Sequence, residues 1–79
     1  MTVDQSLWDD ILGHLRVNHA ALSRGWFNQL KPLNLAHGIL EVQSGNPAQH
    51  EYLIQHCITA FTEAAQAATG RLISIQFTA

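Results

Sequence analysis

Cysteine occurs once in these 79 residues, at Cys57, so neither an internal disulfide nor a cysteine-based zinc cluster is available to hold the fold. Packing has to do so, and a lone thiol suits a reducing cytoplasm. Charge is also scarce: only 13% of residues are charged, and the permanent cations are Arg16, Arg24, Lys31 and Arg71. Tight general binding to duplex nucleic acid is therefore not expected, because it relies on a basic patch that neutralises several phosphates. No apolar run approaches the roughly 18 residues of a membrane span, and Met1 to Asp4 lacks the basic and apolar stretches of a signal peptide. The expectation is one cytoplasmic domain spanning residues 1–79, neither exported nor embedded, with a small core.

Catalytic and metal patterns are missing as well. His14, His19, His37, His50 and His56 are scattered, none at the four-residue helical spacing of a two-histidine metal site, so no metal and no cofactor is expected. Cys57 falls on a core stripe and reads as a buried, inert thiol. Asp9 and Asp10 are adjacent, point in different directions on a helix and read as a solvated face rather than an acid/base pair. The glycines at 13, 25, 38, 45 and 70 form neither a dinucleotide fingerprint nor a phosphate loop. A non-enzymatic domain follows.

What the chain does have is apolar patterning, at 47% apolar residues. A first helix begins near Thr2 or Asp4, with cap-like spacing at Thr2/Gln5 and Ser6/Asp9, and runs to about Val17. Leu7, Trp8, Ile11, Leu12 and Leu15 give it an unusually wide apolar face. Leu22, Trp26 and Leu30 recur every four residues and suggest a second short helix, with Gly25 marking a bend or a close backbone approach. Pro32 ends it. Leu33 and Leu35 alternate with Asn34 as a short strand, His37-Gly38 makes a tight turn, and Ile39–Gln43 returns as a second strand with Leu40 and Val42 inward.

Asn46-Pro47 opens a long helix as cap and first-turn residue. Leu53, Cys57, Ala60, Phe61, Ala64 and Ala68 carry its apolar stripe to about Thr69, and Gly70 ends it, with the alanine-rich half expected near the sheet. Ile73, Ile75 and Phe77 then alternate as a third strand. The fold class expected is α+β, a two-layer unit of order α-α-β-β-α-β with a three-stranded sheet packed against helices, and the long helix permits a parallel crossover.

Trp8 has two readings. An aromatic beside the main stripe of a wide helical face is an interface anchor, or it closes the core edge of a small domain. Under the first reading Trp8→Ala weakens association and spares the fold; under the second it unfolds the domain. Trp26 and Phe27 diverge by about 100° on a helix. Trp26 is assigned to the core, leaving Phe27 as an interface candidate.

Taken together, SLWDDILGHL, WFNQLKPLNLAHGILEVQSGNPAQHEYL and TGRLISIQF resemble the N-terminal domain, or domain I, of the bacterial chromosomal replication initiator DnaA, over nearly the whole chain. The resemblance rests on the order and spacing of Trp8, Trp26-Phe27, Pro32-Leu33, Gly38-Ile39-Leu40, Asn46 and the final alternating strand. It implies a KH-like interaction domain without catalysis that supports initiator self-association, including a weak homodimer, recruits the replicative helicase or docks initiation regulators, and makes at most weak contact with single-stranded DNA. Trp8 matches the family's first-helix aromatic linked to self-association, and helical spacing adds Leu7 and Leu12 as neighbours. Tyr52 retains an aromatic where family members often have one. The pattern departs at Arg24-Gly25, where an acidic residue often precedes the aromatic, and at Ala48, where an aromatic often serves partner binding. Other readings are a KH-like single-strand nucleic-acid binder, although no GXXG loop is present, and a stand-alone decoy that blocks initiator assembly.

Overall fold

The computed structural model describes residues 4–78. Helix α1 spans Gln5–Asn18, and the Asp4 carboxylate caps it by accepting from the Ser6 N–H. The alternative start at Thr2 lies outside the described residues. A turn follows, in which the Leu22 and Ser23 N–H groups donate to the His19 carbonyl. The second helix is a single 3₁₀ segment, Gly25–Gln29.

Strands β1 (Lys31–Ala36) and β2 (Ile39–Gln43) pair antiparallel through the His37-Gly38 turn, where both residues have positive φ, 55° and 73°. Such a turn matches the strand twist. The register of β1 slips between Pro32 and Asn34, a bulge on an edge strand, where a proline's missing N–H is tolerated. The bulge leaves Leu33 exposed while Leu35 is buried.

Asn46 accepts from the Gln49 N–H and Pro47 occupies the first turn of α2, Pro47–Tyr52. The helical backbone continues through a wide π turn at Leu53–Cys57 into α3, Ile58–Thr69, and stops at Gly70 with φ 70°. Strand β3, Ser74–Thr78, then pairs parallel with β2, so the sheet order is β1-β2-β3. This is the α+β arrangement of order α-α-β-β-α-β, with residues 47–69 as the crossover that a parallel pair requires.

Phe61 is the hub of the core. It has no exposed surface and touches three rings: Trp8 at 6.1 Å, Phe27 at 5.3 Å and Phe77 at 5.2 Å between centroids. Leu40 and Val42 are buried beneath the helices, as their alternation requires, whereas Ile39, Glu41 and Gln43 are not. Helix α3 packs against both α1 and β3. Its small Ala60, Ala64 and Ala65 are all buried, and small side chains permit a close approach of neighbouring elements. No helix among the described residues is long and apolar enough to cross a membrane.

Candidate functional site

Of the five side chains expected at an interface, three are core. Trp8 is 2% exposed, Leu12 is 7% and Phe27 is 3%. The wide face of α1 is filled from above by α3, so Trp8 stacks on Phe61 at an interplanar angle of 23° instead of standing free. Its Nε1–H is shut from solvent and has no hydrogen-bond partner among the described residues. Leu7 is half-buried against the core.

Trp26 and Phe27 exchange the places assigned to them. A 3₁₀ segment turns once per three residues rather than 3.6, so spacing by four from Leu22 through Trp26 to Leu30 does not follow a helical stripe here. Phe27 points into the core, and Trp26 lies half-buried at its rim.

Around Trp26 the rim side chains converge. The Trp26 ring meets Phe27 edge-on at 4.9 Å and Tyr52 at 5.8 Å; Tyr52 meets His56 at 5.2 Å; and the Arg24 guanidinium lies 4.9 Å above the Tyr52 ring. Tyr52 is fixed by its hydroxyl, which donates to the Leu22 carbonyl at 2.9 Å. Arg24 is fixed by bonds to the carbonyls of Ala21 and Ser23. Two half-buried aromatics, an exposed arginine and an exposed histidine thus share one preorganised patch. Beside it, Arg16 and Arg24 line a groove of about 310 Å³ with Ser23, Gly25 and Asn28.

Two arrangements resemble catalytic parts. Ser44 Oγ lies 2.9 Å from His50 Nδ1 and 2.8 Å from the Thr78 carbonyl. A hydroxyl has one proton. Since a carbonyl only accepts, the Ser44 proton goes to Thr78 and His50 must donate from Nδ1; a histidine donating to the serine cannot act as its base. The pair is a latch joining the end of β3 to α2. Burial pushes the Cys57 thiol above its ordinary value, and Arg24 draws it only partly back, which is the opposite of an activated thiolate.

The second arrangement escaped the sequence reading. His14, His19 and Glu63 converge, with both imidazole Nε2 atoms near one carboxylate oxygen. The two histidines are five apart, outside the four-residue spacing of a two-histidine site on one helix. Helix α1 ends between them, and His19 at the cap (φ −134°, ψ 46°) leaves the helical path, which brings its ring to 6.2 Å from that of His14.

No protein-family model matches this chain, and no curated protein matches it.

Proposed function

We propose that the chain is a protein-interaction module of bacterial replication initiation, acting in initiator self-association or in recruitment of the helicase or a regulator, and that it docks through Arg24, Trp26, Tyr52 and His56 rather than through Trp8. The observation that carries the reading is the concentration of tryptophan, tyrosine and arginine on one half-buried, already ordered patch. Those residue types dominate interface hot spots, and order in the free protein reduces the entropy lost on docking.

Purified initiator, replicative helicase and the chain itself are the partners to titrate, by anisotropy and by sedimentation across concentrations. Trp26→Ala and Arg24→Ala are each expected to weaken a productive pair by about tenfold or more, while Trp8→Phe leaves it intact. Undiminished binding by Trp26→Ala and Arg24→Ala, or absence of binding to all three partners, refutes the proposal.

The pairing of Arg16 and Arg24 along one groove beside the half-buried Trp26 and Tyr52 favours a second reading, weak single-strand DNA contact by stacking and charge. With four permanent cations, such binding should be weak and fall steeply with salt. Tight, salt-resistant binding to an oligonucleotide would reverse the order of the two readings.

A further inference from the structure

We propose that His14, His19 and Glu63 form a Zn²⁺ site that ties the C-terminal end of α1 to α3. His14 Nε2 and His19 Nε2 stand 3.7 and 3.4 Å from the same Glu63 Oε1, and the three atoms lie within 4.8 Å of one another. Bonds of about 2.0–2.1 Å in a tetrahedron place neighbouring ligand atoms about 3.3–3.4 Å apart. Both imidazole–carboxylate edges are therefore close to the required length. Only the imidazole–imidazole edge has to shorten, and side chains that retain 25% and 23% of their exposure have room to move.

The second observation is independent of spacing. Both Nε2 atoms are closed off from solvent, yet neither makes a hydrogen bond among the described residues, because the carboxylate oxygen between them is too distant or badly aligned. Polar atoms withdrawn from water normally find a partner. A cation between the three supplies one for both nitrogens and for Glu63 together. Two imidazoles and one carboxylate suit a borderline transition ion and not Ca²⁺ or Mg²⁺, which take oxygen ligands. Among transition ions, Zn²⁺ accepts three protein ligands with a water in the fourth position.

Asn18 is the neighbour that coordination would disturb. Its Nδ2 donates to the His14 carbonyl at 3.2 Å and faces His14 Nδ1 at 3.4 Å, a contact that matches an Nδ1 lone pair and a proton on Nε2. Binding through Nε2 reverses this tautomer. The proton moves to Nδ1, and Asn18 has to turn its amide oxygen toward it and release the carbonyl. A carboxylate there would accept the proton directly, as in the carboxylate–histidine–zinc arrangement.

The test is calorimetric titration of the protein with Zn²⁺ in a non-chelating buffer, alongside Ca²⁺ and Mg²⁺. One Zn²⁺ per chain and no response to the other two ions are expected. His14→Gln, His19→Gln and Glu63→Gln should each weaken Zn²⁺ binding by about tenfold or more, His56→Gln should leave it unchanged, and Asn18→Asp should tighten it. Because Glu63 is more than half exposed, Glu63→Gln is the variant to rely on if a histidine replacement fails to fold. Imidazole ¹⁵N shifts add a structural readout: His14 and His19 should move together on Zn²⁺ addition, in the wild type and not in Glu63→Gln. Equal affinity in wild type and Glu63→Gln, or shifts confined to His37, His50 or His56, would overturn the assignment.

Discussion

The two tryptophans sit on one chain of aromatic contacts, with Phe61 and Phe27 between them, and show how neighbours decide a residue's role. Trp8 lies flat on Phe61 under α3, 2% exposed, while Trp26 stands at the far side, separated from Phe61 by Phe27 and half-buried beside Tyr52. An aromatic on a long regular helix is captured by whatever helix crosses it. On the short 3₁₀ turn the two neighbours part, Phe27 turning into the core and Trp26 staying half-buried at the rim.

The sharpest way to break this contrast is Trp8→Ala, which removes a buried ring and should destabilise the domain by about 3–5 kcal/mol, read as a lower urea midpoint. Trp8→Phe should be far milder, because it deletes the unpaired Nε1–H together with part of the ring, and an unsatisfied buried donor costs about 1–3 kcal/mol by itself. If Trp8→Ala folds as well as wild type, Trp8 is not a core residue.

Trp26→Ala comes next, with an expected loss of about 1–2 kcal/mol because only part of its surface is buried, so its effect on partner affinity can be measured in a folded protein. A loss as large as that of Trp8→Ala would erase the distinction between rim and core. Asn46→Ala should cost about 1 kcal/mol, since it removes the acceptor for the Gln49 N–H; thermal melts suffice to detect it.

The smallest effect is a pH slope at Cys57. Its thiol value is raised in the folded state above the ordinary 9.0, so the unfolded chain ionises first. Stability is fully retained below the unfolded value and declines as pH rises from there through the folded value. Cys57→Ala should remove that component of the alkaline slope in denaturation measured at successive pH values, and an unchanged slope would show that Cys57 does not produce it.

Punctuation residues were legible in the sequence because their chemistry is local. Asn46 and Pro47 open a helix, His37-Gly38 closes a hairpin, Gly70 stops a helix, and each needs only its immediate neighbours. The alternation of Leu40 with Val42 likewise identified the covered side of the sheet. The candidate sites were less legible because they depend on which helix crosses which. Trp8 has the same wide face whether α3 covers it or not, and Glu63 joins His14 and His19 from a helix more than forty positions away. The spacing of Trp26 was misread because a 3₁₀ turn has a period that a four-residue recurrence does not disclose.

The π turn at Leu53–Cys57 had a faint signal. Leu53, Cys57, Phe61 and Ala65 are all buried at intervals of four, and such a series drifts about 40° per step around a regular helix with 100° per residue. A wider turn absorbs part of that drift.

That wider turn also separates two duties along a single rod. Tyr52, just ahead of it, faces the rim, and Phe61, just after it, anchors the interior. Excising one residue such as Gln55 would close the turn to α-helical width and leave the two halves nearly in phase, because the wide turn is where one extra residue is taken up, so rim and interior stay aligned with one position to spare.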